Sequence, residues 1–113
     1  MKISKELVKG STAMLVLSVI EDRPAYGYLI IKEMEELSEN VFCLNEGTLY
    51  PILHALEQEK YLESFWEESG TGRRRKYYRI TDRGRKELSR KKEEWKTFAG
   101  AVSKVLHGGA IYG

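Results

Sequence analysis

Arg73, Arg74, Arg75 and Lys76 form an unbroken run of four cations behind Gly70, Thr71 and Gly72. Like charges packed this closely cannot neutralise one another, and few carboxylates lie nearby in sequence. An external anion relieves the repulsion, and a nucleic-acid backbone or a narrow minor groove supplies one. A second set of residues lies upstream. Thr48, Tyr50, Pro51, His54, Ala55 and Gln58 fall on one side of a helical pattern whose other side holds Leu49, Leu53 and Leu56, with Ile52 at the margin. Thr48 offers a hydroxyl to a phosphate or a thymine, and the Tyr50 phenol reaches a backbone. His54 and Gln58 can reach base edges, where glutamine suits adenine. The plainer readings are Tyr50 packed on its own hairpin and His54 as a solvated side chain. Catalytic chemistry finds no comparable set. His54 and His107 belong to different elements, Cys43 has no histidine partner, and no metal-ligand spacing or Gly-rich phosphate loop appears. An enzyme and a cofactor are both unexpected.

The chain that must position these residues has 113 of them, 42% hydrophobic and 32% charged. That is one domain with a modest core, and it excludes a disordered chain, a collagen-like repeat and a disulfide scaffold. A single cysteine allows no internal disulfide, and no export signal is evident. The longest apolar stretch, 13–20 with Ser18 inside it, is far below the roughly 20 residues that cross a bilayer. A cytoplasmic protein with no membrane role is expected. Net charge is +2 but unevenly spread: −5 over residues 1–59, +7 over 60–92 and zero over 93–113. A positive block on a near-neutral protein points to a local anionic partner.

The elements follow from periodicity and punctuation. Ser4 caps a first helix running to about Ile20, apolar on nearly every side from Met14 to Val19 and therefore central or at a subunit contact. Glu21-Asp22-Arg23-Pro24 ends it. Residues 26–38 read as a second helix, with Tyr26, Leu29, Ile30, Met34 and Leu37 inward. Asn45 caps a third helix ending near Lys60. Pro51 lies beyond its first turn, where the ring meets the carbonyl of Gly47, so a tight first turn is expected. Residues 62–67 and 76–80 read as strands joined by a polar tip at 68–75, with Trp66, Tyr77, Tyr78 and Ile80 as hairpin core. Thr81 caps a last helix over 82–107. Leu88, Trp95 and Val102 recur every seven residues there, as do Phe98 and Val105, giving a seam that a second subunit would cover. The order is that of a mainly α winged helix-turn-helix with a small β-hairpin and an added C-terminal dimerisation helix. It divides into 1–80 as the winged domain (its first helix also at the dimer contact), 81–107 as the dimerisation helix and 108–113 as a frayed tail.

Asn45-Glu46-Gly47-Thr48-Leu49-Tyr50-Pro51-Ile52-Leu53 resembles the recognition-helix motif of the PadR family of bacterial transcription regulators. Gly72-Arg73-Arg74-Arg75-Lys76-Tyr77-Tyr78-Arg79-Ile80-Thr81 resembles that family's wing, and Leu56-Glu57, Trp66 and Tyr26-Gly27-Tyr28 sit where it has matching residues. The likeness covers about residues 5–90, and the single C-terminal helix looks like the smaller subfamily. The resemblance implies a homodimer on double-stranded DNA, a repressor, and DNA contacts from Arg73, Arg74 and Lys76, with Arg75 and Arg79 unassigned. About four phosphate contacts per subunit would give a log K against log salt slope near −7. The smaller subfamily also implies a planar aromatic ligand between the subunits. Trp95 and its two-fold mate would line that pocket, with Ala13, Met14 and Phe98 facing or flanking it; the plainer reading is Trp95 as packing. An indole face and a methionine wall suit flat molecules, but no carboxylate stands beside Trp95 on the seam to favour a cation. The competing function is a winged helix that makes only protein contacts, which would not need four basic residues on its wing.

Overall fold

The structure is a computed structural model that describes residues 3–68 and 70–108. Its elements are α1 (Lys5–Lys9), α2 (Thr12–Val19), β1 (Ala25–Tyr26), α3 (Gly27–Leu37), α4 (Glu46–Gln58), β2 (Leu62–Glu68), β3 (Arg74–Ile80) and α5 (Asp82–Leu106). The order is mainly helical, with one antiparallel three-stranded sheet arranged β1-β3-β2.

Three helix starts expected from side-chain caps are present. Ser4 Oγ, Asn45 Oδ1 and Thr81 Oγ1 accept from the amides of Leu7, Thr48 and Gly84 at 3.4, 2.9 and 2.9 Å. The single N-terminal helix is instead two. Gly10 caps α1, and the Thr12 hydroxyl donates to the Val8 carbonyl at 2.8 Å across the break. Glycine weakens a helix interior, and a local hydroxyl offers the backbone another partner. Set apart, α2 becomes the central helix, packed against α3, α4 and α5. Its Val16 and Leu17 join Ile20 at the heart of the core.

Ile30, Ile31 and Met34 carry α3 into that core, but Leu37 is 77% exposed. The helix ends beside it: Ser38 Oγ donates to the Met34 carbonyl at 2.7 Å and accepts from the Phe42 amide at 2.9 Å, and Glu39 and Asn40 take positive φ. In α4, Leu49, Leu53 and Leu56 are buried and Ile52 half-buried, as the spacing requires. Pro51 lies within the helix. The Thr48 amide meets the Asn45 carbonyl at 3.2 Å, the tight first turn that the proline position called for.

The sheet departs from expectation in two ways. Ala25 and Tyr26 form a strand too short to show alternation, paired with Tyr78 and Tyr77. The hairpin ladder also runs further out, from Leu62↔Ile80 to Glu68↔Arg74, so Arg74 and Arg75 are strand residues and Arg73 lies in the connecting loop. Trp66 is not hairpin core; it is 57% exposed.

The start of α5 is built into the core. A Cβ on Gly84 would lie 1.9 Å from the Tyr61 carbonyl oxygen, so only glycine allows this approach. Leu88 is 1% exposed within its own chain, which corrects its assignment to an intersubunit seam. The seam residues left exposed are Trp95, Phe98, Val102 and Val105. Of the expected 108–113 tail, residues 109–113 lie outside the described residues. No helix of the described residues is long and apolar enough to cross a membrane.

Candidate nucleic-acid interface

Asn45 starts α4 with its leucines inward, so Thr48, Tyr50, Pro51, His54 and Gln58 are left outward, and all five are exposed. Tyr50 is the most constrained of them. Its phenol lies against the start of α3, where a Cβ on Gly27 would come within 2.8 Å of Tyr50 Oη. It therefore packs on α3 as well as facing outward.

Between α4 and the hairpin lies a cleft of about 500 Å³. Tyr50 and Glu46 line it from α4, Tyr28 from α3, and Arg73, Arg75 and Lys76 from the wing, with Trp66 and Tyr78 among the remaining walls. Two of the wing cations assigned to DNA, Arg73 and Lys76, thus meet Tyr50 around one opening. Arg74 does not line it; its guanidinium lies 5.2 Å over the Trp66 ring. Thr48, Pro51, His54 and Gln58 lie outside it, on the exposed face of α4.

Strand register changes the wing's charge balance. Adjacent residues of β3 point to opposite faces, and each has a neighbour on β2 that is distant in sequence. Glu68 lies opposite Arg74, Glu67 opposite Arg75 and Glu63 opposite Arg79, the last pair closing to 2.8 Å. Carboxylates distant in sequence thus stand opposite the basic strand, and of these three pairs Glu63–Arg79 is the one that closes to an ion pair. Arg75 and Arg79 also lie over aromatic rings, 4.5 Å from the Tyr26 centroid and 4.6 Å from that of Phe65. Tyr77 lies between those two rings, stacked on Phe65 and edge-on to Tyr26. Lys76 is opposite Trp66, and Arg73 sits in the loop, so these two cations face no carboxylate in the ladder.

Beneath the cleft, Tyr78 is 4% exposed. Burial raises its phenol above the ordinary value of 10.0, and the charges of Tyr50 and Glu57 raise it further. Tyr28, Glu46 and Glu57 were not among the sequence candidates. Tyr28 and Glu57 fall in the matching motifs, but their place at the cleft depends on which elements pack together.

A second concavity, about 800 Å³, runs along α5. Trp95, Phe98 and Val102 line it from α5, Met14 from α2 and Leu7 from α1, with Phe42 from the α3–α4 connection. Ala13 does not line it; that side chain packs against the core. Val105 is exposed beyond the groove. Glu6 and Glu94 do line it, so carboxylates accompany Trp95 where none was expected.

Residues 16–90 match the transcriptional regulator PadR-like family. The chain is 30% identical over 104 residues to the transcriptional regulator Rv3488 of Mycobacterium tuberculosis, covering 92% of this chain and 91% of that one. A transcriptional regulator from Clostridium thermocellum superposes with a TM-score of 0.82 at 31% identity, covering 88% of this chain and 97% of that one. A PadR family transcriptional regulator from Eggerthella lenta gives 0.79 at 37% identity, covering 89% and 86%. The family match takes in the helix pair, the wing and the start of α5, and stops short of Trp95.

Proposed function

This chain belongs to the PadR-like family of transcriptional regulators, and on that premise we propose that it binds DNA sequence-specifically as a homodimer and represses transcription from a two-fold symmetric operator. The fold is that of the family's winged-helix regulators. The observation that carries the reading is the shared cleft, where Tyr50 of α4 meets Arg73 and Lys76 of the wing beside the outward face of Thr48, His54 and Gln58. In a helix-turn-helix protein the second helix enters the major groove, and the flanking basic element holds the backbone. Pro51 sits on that outward face one turn into α4.

Two copies joined through Trp95, Phe98, Val102 and Val105 would set two recognition helices on two half-sites. The exposed apolar stripe on α5 supports this assembly, because a side of a helix carrying several large apolar residues is rarely left in water. The groove beside it has the aromatic and methionine walls that suit a planar aromatic ligand. Such a ligand would release the operator only by its differential affinity for the free and bound forms.

Selecting bound fragments from genomic DNA with purified protein, at near-physiological salt, tests the reading. A shared two-fold symmetric site is expected. Motif-free recovery that modest salt abolishes would replace this reading with the winged helix that contacts only proteins.

A further inference from the structure

α4 packs on β2, and Leu53, Leu56 and Leu62 from these two elements all belong to the buried apolar core. Apolar contact is non-directional, and the short β1 ladder holds β3 only at Tyr77 and Tyr78, leaving the β2 side of the hairpin to be oriented against α4. One polar contact crosses the same joint. Ser64 Oγ of β2 donates to Glu57 Oε2 of α4 at 2.5 Å. Ser64 is the register partner of Tyr78 on the central strand, and the Tyr78 phenol feels both Glu57 and Tyr50. The next rung outward on the same face is Trp66↔Lys76, which enters the cleft.

We propose that Glu57 is a positioning residue that sets the angle between the recognition helix and the wing, by holding Ser64, and through the Ser64↔Tyr78 register pair the central strand, at one rung of the hairpin. The inference rests on the DNA-binding reading above and assigns the residue that aligns its two halves. The lever is long. Arg73 lies five residues beyond Tyr78, about 17 Å along the strand, so a tilt of about 10° at this rung moves Arg73 by roughly 3 Å. That is the full length of a hydrogen bond to a phosphate. A leucine or methionine at position 57 would fill the same joint without desolvating a charge. What the carboxylate adds is direction.

The test compares Glu57→Ala, Glu57→Gln and Ser64→Ala in the whole chain. Its first readout needs no DNA. The chain has two tryptophans, so in a Trp95→Phe background emission comes from Trp66 alone, one rung above the joint. Glu57→Ala and Ser64→Ala should red-shift that emission and increase iodide quenching, and Glu57→Gln, which still accepts from Ser64, should not. The second readout, with Trp95 intact, is the salt dependence of binding to a mixed-sequence duplex of about 30 base pairs. Losing one wing phosphate contact per subunit flattens the log–log slope by about 2 per dimer. Glu57→Ala should show that loss and Glu57→Gln should keep the parent slope. A residue that only stabilised the fold would lower Tm and leave the slope and Trp66 unchanged, which overturns the proposal. Failure of glutamine to rescue also overturns it. Should Glu57→Ala not fold, Ser64→Ala carries both readouts. If the parent shows no salt-dependent DNA binding, the DNA reading falls, and Trp66 emission still decides whether Glu57 holds the hairpin.

Discussion

Lys76 stands directly across the hairpin from Trp66, while its neighbours Arg74 and Arg75 each stand across from a glutamate. The four-residue basic run is therefore unequal in its members. Arg74 and Arg75 each lie over a ring, Trp66 and Tyr26, and the glutamate opposite each lowers the local positive potential, so both gain less from a phosphate. Lys76 and Arg73 have no glutamate opposite them in the ladder, and Glu46 across the cleft is the carboxylate that shares their opening.

Replacing Lys76 or Arg73 by alanine should therefore flatten the salt slope of DNA binding by about 2 per dimer, and Arg75→Ala by less than about 1. With about three effective contacts per subunit the parent slope should lie near −5, shallower than four equal contacts would give. Fluorescence anisotropy on a labelled duplex across a salt series measures this. Equal effects at positions 75 and 76 would mean that the facing glutamates do not matter.

The caps and inward leucines were legible in the sequence because each is a local matter. A side-chain oxygen at Ser4, Asn45 or Thr81 reaches an amide three residues on, and Leu49, Leu53 and Leu56 follow one helical face. The break at Gly10 was not legible, since a glycine within a helical pattern is tolerated more often than it interrupts. Neither was the hairpin register. A polar tip rich in glycine and arginine allows several closures, and each changes which glutamate faces which arginine. Leu88 shows a third limit. Its heptad spacing with Trp95 is real, but at Leu88 α5 is still packed into the chain's own core, before the exposed seam begins. The carboxylates of the groove, Glu6 and Glu94, come from helices at opposite ends of the chain.

Gly84 and Gly27 separate a backbone collision from a side-chain one. Gly84→Ala drives a methyl into the Tyr61 carbonyl, which cannot move without dislodging α5, and should cost about 3 kcal/mol or more. Gly27→Ala meets only the far end of Tyr50, and should cost about 1 kcal/mol while displacing that phenol from the cleft. Urea denaturation reads the first effect and DNA affinity the second. Full DNA affinity in Gly27→Ala would show that the Tyr50 position is immaterial.

Tyr78 makes stability depend on alkaline pH. Its phenol is raised above 10.0 in the fold, chiefly by burial. The folded state therefore favours the protonated form. Its contribution is complete below the unfolded value and is lost as pH rises from there through the folded value. Urea midpoints from pH 8 upward should fall more steeply for the parent than for Tyr78→Phe. Parallel curves would place the phenol in a wetter site than its burial indicates.

Leu88 and Phe98 should part company under substitution. Leu88→Ala opens a hole in the chain's own core and should cost about 2–5 kcal/mol of folding stability. Phe98→Ser removes an apolar ring from an exposed stripe, and should weaken self-association while leaving the single chain's helicity intact. Sedimentation equilibrium beside circular dichroism distinguishes the two. A dimer unaffected at Phe98 would move the subunit contact elsewhere.

Glu94 and Glu6 line the α5 groove together with Lys91, whose ammonium lies 3.8 Å from Glu87, so the two carboxylates leave the groove a preference for cations that an aromatic pocket alone would lack. A planar cation stacked on Trp95 would gain from the ring face and from a nearby carboxylate, whereas a neutral molecule of the same outline gains only the stacking. The groove is open to solvent, so the carboxylate's share is modest, about 1 kcal/mol or fivefold in Kd. Titrating Trp95 emission with a cationic planar dye and with a neutral aromatic of equal area should show that ratio. Arg90 already lies 3.4 Å from Glu94, which takes part of its charge and makes Glu6 the freer group. Glu94→Gln should lower the preference partly, and Glu6→Gln with it should remove the preference while keeping affinity for the neutral compound. If both compounds bind equally to the parent, the carboxylates are only solvated neighbours, and stacking on Trp95 alone accounts for the groove.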